Sequence, residues 1–437
     1  MKNPPSLKKI FSNINNMDNQ TTTQDSPERK TEQTKQNQHL VTLFKSLKIL
    51  PTPLSDSQCV LYKHELIICG GYQQRACYSY HILKNEYKFI CEYPSHVILW
   101  GHCVVKLVGN SNHNNKDTKQ ITLLSFGSSW DGENKHTLVM KYVSVWDNIS
   151  NKANKFNYYN QWVPFTNNHN HPIIIGRYND DYRGVRAVID GINNHLLFIT
   201  YYPKNISVFD LNTFQFIKHD TLPTSNYIQY HCFVSNSENE QGQEMMKTNP
   251  KNEQNFQILL FKEKTGLSIE YDENNNIFQF HQLPVCDDIA SFYSYAYVHI
   301  NNVILFFGGW GNTFAEVVVS KLVYKYSIRE NKWITFQNAL PSRLKYCIAI
   351  LSEEDNHIHI VGGRNDEEAT IVCMGCFTVG NDLFILMKHK LIAFVLIINN
   401  EQSKHEIKCI NQYWIRTLQI KFGWIDDFDK IIMKYNK

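Results

Sequence analysis

Four residues near the end of the chain have types and a spacing that could hold a metal ion. Cys373 and Cys376 form a Cys-x-x-Cys pair, and His405 and Cys409 follow it, which matches the Cys₃His ligand set of a structural zinc site. The 28 residues between Cys376 and His405 are a long gap for such a site. We therefore interpret the two cysteines of the pair as ordinary strand residues and predict no metal site and no cofactor.

Motifs for other chemistry are scarce. The sequence has no Walker loop, no Gly-x-Gly-x-x-Gly after a strand, no Gly-x-Ser-x-Gly and no His-Glu-x-x-His. The acidic pairs Asp180-Asp181 and Asp287-Asp288 fall at predicted turns, where acidic residues are common. No spacing indicates two carboxylates converging for acid–base catalysis. We predict no catalytic residue.

The predicted strands that would position any functional site recur along the chain. Six short runs of large apolar residues each end at a similar break, and they begin at Leu66, Leu123, Leu196, Ile258, Ile304 and Ile358. The break is Gly-Gly in the first, fifth and sixth runs. A repeated unit of this kind buries its apolar face only against its neighbours. The repeat therefore predicts one domain built from similar sheets.

Each of the first five units also contains an Asn two residues before a large aromatic. The pairs are Asn85 and Tyr87, Asn160 and Trp162, Asn212 and Phe214, Asn276 and Phe278, and Asn331 and Trp333. Asn tolerates the left-handed backbone of a tight hairpin, and an aromatic residue suits the strand that follows. Each unit is therefore predicted to form four short antiparallel strands.

These features resemble those of the Kelch-repeat family. Its repeat has two glycines after the second strand, a Tyr in the third and a Trp in the fourth, and the fifth unit has Gly308-Gly309, Tyr324 or Tyr326, and Trp333. The resemblance extends from about Pro53 to Gly363. It implies an all-β fold, a six-bladed β-propeller of four-stranded blades. The sixth blade is expected to be degenerate, because no Asn-x-aromatic hairpin follows Gly363 at the usual distance.

The ends of the chain differ from the repeats. Residues 1–40 are polar and predicted to be disordered, and they lack an apolar core of signal-peptide length, which favours a cytoplasmic location. Residues 41–370 are predicted to form the propeller. Residues 371–411 are irregularly apolar, either degenerate outer strands or an artefact of the gene model. Residues 412–437 show helical spacing and are predicted to form an amphipathic helical tail.

The Kelch resemblance also implies where a partner would bind. In such propellers the loops after the second and fourth strands share one face, and this face commonly holds a partner peptide. The large or charged residues predicted on it are Tyr72, Arg75, Arg183, Arg186, Trp310, Arg343 and Arg364. Arg and Trp often anchor protein interfaces. Each arginine has an alternative role as a structural tie between loops.

The net charge of the chain limits the classes of partner that we expect. The net charge is +3, from 44 basic and 41 acidic residues, with no basic stripe, so we expect neither nucleic acid nor a membrane as partner. The leading hypothesis is a monomeric, non-enzymatic scaffold that binds a protein or peptide. The alternative is a propeller enzyme of the oxidase or sialidase-like type, because fold alone does not decide function.

Overall fold

The computed structural model describes residues 44–108, 120–147, 158–236, 256–312, 317–336, 340–352, 357–367 and 374–378. The chain divides into Met1–His39 and Leu40–Lys437, and all described residues belong to the second unit. These residues form strands, turns and loops, with no helix among them. The segment predicted to be disordered, 1–40, and the predicted helical tail, 412–437, lie outside the described residues.

The first three sheets each contain four antiparallel strands in chain order. The strands of the first sheet are Gln58–Tyr62, Glu65–Gly71, Gln74–His81 and Glu86–Glu92. Those of the second are Cys103–Leu107, Gln120–Gly127, His136–Val143 and Val163–Pro164. Those of the third are Asp181–Asp190, Leu196–Tyr202, Asn205–Asp210 and Gln215–Thr221.

The fourth and fifth sheets follow the same order. The strands of the fourth are Cys232–Ser235, Phe256–Lys262, Thr265–Asp272 and Ile277–Gln282. Those of the fifth are Ala296–Ile300, Val303–Phe307, Val323–Ser327 and Lys332–Phe336. A separate three-stranded sheet beside the fifth contains Phe292–Tyr293, Trp310–Asn312 and Val317–Val319. In every four-stranded sheet the second strand is the apolar run found in the sequence.

The sixth sheet also has four strands, of which three come from the sixth repeat. Its first three strands are Ile348–Ser352, His357–Val361 and Met374–Thr378. The fourth is Phe44–Ser46, which pairs antiparallel with Met374–Thr378. A segment that precedes the first repeat thus supplies the strand that the sixth repeat lacks. The remainder of 371–411 lies outside the described residues.

The hairpin asparagines adopt the backbone that the sequence predicts. Asn85, Asn160, Asn276 and Asn331 all have φ between 51° and 58°. In the third sheet the left-handed residue is Phe214, with φ 58°, in place of Asn212. The hairpin into the outer strand is therefore built in the same way in four of the units, and by a different residue in the third.

Apolar side chains pack between each sheet and the next. Edge-to-face ring pairs join the first sheet to the second through Tyr62 and Tyr142, and the second to the third through Phe126 and Tyr182. Further clusters lie between the third and fourth, fourth and fifth, and fifth and sixth sheets. A sixth cluster contains Val361 of the sixth sheet with Ile68 of the first. This succession of four-stranded antiparallel sheets is consistent with a β-propeller.

Candidate functional site

Each of the six four-stranded sheets has a residue with a left-handed backbone at the entry to its first strand. In five sheets this residue lies two positions before the strand, and in the third it lies within the strand, two positions before Arg186, where pairing with the second strand resumes. In the third sheet this strand has a bulge between Asp181 and Arg186. The six residues have φ between 50° and 65°, and they are Asp56, Gly101, Gly184, Tyr230, Ser294 and Tyr346. We call them the ring residues. Their recurrence means that the chain enters each sheet with the same turn.

Backbone hydrogen bonds connect the ring residues from sheet to sheet. The donor and acceptor pairs are Asp56 N to Tyr346 O at 2.9 Å, Tyr346 N to Ser294 O at 2.9 Å, Ser294 N to Tyr230 O at 3.1 Å, Tyr230 N to Gly184 O at 2.9 Å, and Gly184 N to Trp100 O at 3.3 Å. The last acceptor directly precedes Gly101. The bonds bring the entry turns of all six sheets together at one edge.

The loops after the second strands reach this same edge, because the second strand runs antiparallel to the first. Gly309 N donates to Leu344 O at 2.8 Å, and Gly363 N donates to Leu54 O at 2.8 Å. Each acceptor lies just before the first strand of the next sheet. Gly362 has φ +64°, and a Cβ there would collide with the Leu54 carbonyl, which explains the requirement for glycine.

A cavity of about 120 Å³ lies among the ring residues. Its lining includes four of them, together with the first residues of several first strands, and the polar members are Asp56, Ser57, Gln58, Arg186, Tyr230, Ser294, Tyr295, Tyr297 and Tyr346. Ser57 and Ser294 are buried, and their Oγ atoms have no hydrogen-bond partner among the described residues. Buried hydroxyl groups normally have a partner, so the cavity is suited to a polar occupant.

The charged groups of the cavity are Asp56 and Arg186. Burial raises the pKa of Asp56 to about 7, and the nearby charges of Arg186 and Arg364 act in the opposite direction. Burial also raises the pKa of Cys103 in the second sheet and of Tyr297 in the fifth, and the charge of Arg186 again opposes it. The charge of Arg186 therefore lowers the pKa of groups on the first strands of the second and fifth sheets, as well as that of Asp56.

Four of the predicted binding residues belong to this region. The guanidinium carbon of Arg364 lies 4.7 Å from the centre of the Tyr72 ring, and that of Arg186 lies 5.9 Å from the Tyr230 ring. The Lys345 ammonium lies 5.3 Å from the ring of Trp310. We call Tyr72, Arg186, Trp310 and Arg364, together with the ring residues, the central face. Cation–π pairs of this kind keep charge and aromatic surface side by side.

The other three predicted arginines are engaged in ion pairs with neighbouring carboxylates. The pairs are Arg75 with Glu92 at 3.4 Å, Arg183 with Asp181 at 2.6 Å, and Arg343 with Asp366 at 3.6 Å. Asp181 also accepts two further hydrogen bonds from the Nε of Arg183. The pairs of Arg75 and Arg343 join separate segments, which fits the alternative role as structural ties, whereas Arg183 and Asp181 lie two residues apart in one strand.

Several cavity residues were not identified from the sequence. Asp56, Ser57, Tyr230, Ser294 and Tyr346 come from the turns between repeats, and they have no common residue type. The one feature they share in the sequence is a position directly before the first strand of a unit. That position could have been found by aligning the repeats on their first strands.

The zinc candidates fall mostly outside the described residues. Cys376 lies in the strand Met374–Thr378, whereas Cys373, His405 and Cys409 are not among the residues described. Within the part of the chain that is described, no group of three His, Cys, Asp or Glu residues is placed to hold a metal ion. The same part contains no helix long and apolar enough to cross a membrane.

Comparison with known proteins gives the fold but no function. No family model matches the sequence, and no curated protein is similar to it. A solved structure titled "Structure of YjhT" is similar, with a TM-score of 0.50 and 12% sequence identity. The match covers 76% of this chain and 97% of that one. At this identity the likeness shows shared architecture alone.

Proposed function

We propose that the chain is a six-bladed propeller of the Kelch type and a non-enzymatic scaffold in the cytoplasm that binds a protein partner through its central face. The six sheets would be the blades, and the cluster between Val361 and Ile68 would close the circle. The observation that carries the proposal is the set of half-buried aromatic and cationic side chains that several sheets contribute to one edge. Such groups anchor interfaces because they combine apolar area with directed hydrogen bonds.

The pairing of these side chains supports the choice of a protein partner. Tyr72 packs edge-to-face on Trp100 at 4.6 Å and beneath Arg364 at 4.7 Å, so the three form a preorganised block. Trp310 packs on Tyr293 at 4.9 Å in the same way. Rigid aromatic anchors lose little conformational entropy when a partner covers them.

The experiment compares partner recovery by the full chain and by two kinds of variant. Proteins retained by the wild-type chain are measured by quantitative mass spectrometry and compared with those retained by Tyr72→Ala/Arg364→Gln. The matched control is Phe89→Ala, which removes a 55% exposed aromatic from an outer strand. We expect the double variant to lose the specific partner at least tenfold, and the control to retain it. Equal recovery by all three proteins would contradict the proposal.

A second candidate, a propeller enzyme, is favoured by one observation. Asp56, with a pKa of about 7, could exchange a proton with a bound small molecule near neutral pH. An enzyme of this kind would convert its ligand, whereas a scaffold would return it unchanged. Incubating the purified chain with cell metabolites and analysing them by mass spectrometry distinguishes the two. Turnover that disappears in Asp56→Asn would favour the enzyme.

A further inference from the structure

The cavity beside Asp56 has the composition of a site for a small anionic group. Two buried hydroxyl groups, those of Ser57 and Ser294, line it with no partner among the described residues. The Arg186 guanidinium donates to its own neighbour, the Val185 carbonyl, at 2.8 Å and forms no ion pair in the described part of the chain. These groups can donate hydrogen bonds to one set of oxygen atoms.

Charge around the cavity favours an anion over a cation. Two guanidinium groups, those of Arg186 and Arg364, act on the carboxyl group of Asp56, which is the one acidic side chain in the lining. When Asp56 is neutral, the lining has the positive charge of Arg186 and no negatively charged carboxylate. When Asp56 is ionised it repels a second carboxylate, as two acidic groups in one site do.

Size restricts the occupant to a few heavy atoms. The cavity volume of about 120 Å³ is below that of an engineered cavity of about 150 Å³ that accepts benzene. A carboxylate with one or two attached carbons fits this limit. A larger ligand would place only its carboxylate inside and the rest on the central face.

We propose that the cavity binds a single carboxylate group and that Asp56 takes up a proton when it does so. The bound carboxylate would accept hydrogen bonds from Arg186, Ser57 and Ser294, and the protonated Asp56 would donate a further one. The carboxylate can belong to a free small acid or to a protein side chain. The proposal rests on the cavity and does not depend on the partner in the previous section.

The groups that surround Asp56 determine how this binding depends on pH. Arg186 and Arg364 face it as cations, Tyr230 and Tyr346 adjoin it in the ring, and the Cys347 thiol adjoins it from the sixth sheet. Burial raises the pKa of Tyr230 well above its usual value and that of Cys347 to about 12, so both stay neutral near pH 7. Asp56 is therefore the group that changes charge between pH 6 and 8.

The test is isothermal titration calorimetry of the full chain with sodium acetate and with a blocked Gly-Glu-Gly peptide. Acetamide serves as the neutral control probe. Repeating each titration in buffers of different ionisation enthalpy measures proton uptake. We expect binding at pH 6 with little proton uptake, and uptake of about one proton at pH 8. Above pH 7 the affinity should fall about tenfold per pH unit.

Variants test which side chains are responsible for carboxylate binding and for proton uptake. Asp56→Asn should keep the pH 6 affinity at pH 8 and take up no proton, and asparagine tolerates the left-handed φ of 56° at this position. Arg186→Gln should weaken binding at least tenfold at both pH values. Arg75→Gln, which alters an arginine paired with Glu92, is the control and should bind like wild type.

The outcomes separate the possible sources of the carboxylate. Binding of acetate supports a free acid as ligand, and binding of the peptide alone supports a protein side chain. The proposal is overturned if neither probe binds at pH 6, or if acetamide binds as well as acetate. It is also overturned if the wild type takes up no proton at pH 8, a result that does not depend on any variant folding.

Discussion

A single pair of residues, a tyrosine in the third strand and an asparagine five positions later, stabilises the outer hairpin of several sheets. The tyrosine hydroxyl donates to the asparagine Oδ1, and the pairs are Tyr80 and Asn85 at 2.9 Å, Tyr271 and Asn276 at 2.7 Å, and Tyr326 and Asn331 at 2.7 Å. The asparagine therefore has two roles, a left-handed backbone and an acceptor for a buried phenol. This explains why both residue types recur in the repeat.

The two roles can be separated at Asn331. Asn331→Ala should lower the free energy of unfolding by about 2–3 kcal/mol, because it adds a left-handed Cβ penalty of about 1–2 kcal/mol to a lost hydrogen bond of about 1 kcal/mol. Asn331→Gly keeps the backbone and should cost only the bond. Urea unfolding of both variants tests this. Equal losses would show that the backbone makes no separate contribution.

The sequence indicates these asparagines because their requirement is local. A left-handed residue before an aromatic strand is a short-range pattern, and φ is positive at four of the five predicted asparagines. It fails in the third unit, where Asp210 accepts from the backbone N–H groups of Asn212 and Thr213 and the left-handed position moves to Phe214. Alternative turn chemistry of this kind shifts a hairpin without changing its strands.

At the scale of the element, the sixth sheet depends on a strand from the opposite end of the repeats. Phe44–Ser46 pairs with Met374–Thr378, and the chain then continues to the first sheet, where Lys48 N donates to Asn85 Oδ1 at 3.1 Å. Three residues carry no recognisable strand pattern, and their partner lies more than 300 positions away. A pattern within the sequence could therefore predict the second strands of the repeats but not this pairing.

Removing this strand should weaken the whole domain. Deletion of residues 1–46 is expected to lower the free energy of unfolding by about 2–3 kcal/mol, because each ladder hydrogen bond contributes about 1 kcal/mol net. The matched control, deletion of residues 1–40, keeps the strand and should unfold like wild type. Denaturant titration measures both. A loss of the same size in the control would assign the effect to the earlier residues.

Contacts between neighbouring sheets can be tested at Trp333. Its ring lies 5.4 Å from Phe261 of the fourth sheet and 5.3 Å from Phe306 of its own, and its Nε1 donates to Pro284 O at 2.7 Å. Because the side chain is half-buried, Trp333→Ala should cost about 3 kcal/mol, at the low end for a packed aromatic. The neighbouring Ile334→Ala, at a 50% exposed position, should cost less than about 0.5 kcal/mol. Similar costs would contradict this packing.

At the scale of the whole molecule, the cavity assembles residues that are far apart in the chain. Asp56, Ser294 and Tyr346 precede the first strands of three sheets, and Arg186 lies within the first strand of a fourth. Arg186 was among the predicted binding residues because it is charged. Ser294 and Tyr346 were not predicted, because a serine or a tyrosine in a turn does not by itself indicate a binding site. Their proximity depends on how the sheets pack against one another. The sequence of a single repeat contains no information about that packing.

The distribution of buried histidines predicts how the molecule responds to acid. Burial lowers the pKa of His102 and of His136 to about 3, and that of His231 well below its usual value. Below about pH 6.5 the unfolded chain protonates all three while the folded chain does not, so stability is lost as the pH falls. Asp56 acts with the opposite sign, because its raised pKa makes the folded state take up a proton between about pH 7 and 3.8.

Burial also lowers the pKa of His81, His219 and His299, so the unfolded chain binds more protons than the folded chain, and the free energy of unfolding should fall by more than about 1.4 kcal/mol per pH unit between pH 6 and 4.5. His102→Gln should reduce this slope by about 1.4 kcal/mol per pH unit, because the amide can still donate to Cys69 O, which His102 Nε2 contacts at 3.1 Å, but cannot titrate. The exposed His171→Gln is the control and should keep the wild-type slope. Urea unfolding at several pH values measures all three proteins. An unchanged slope in His102→Gln would mean that this histidine is already protonated in the folded protein, and that its surroundings stabilise the charged form.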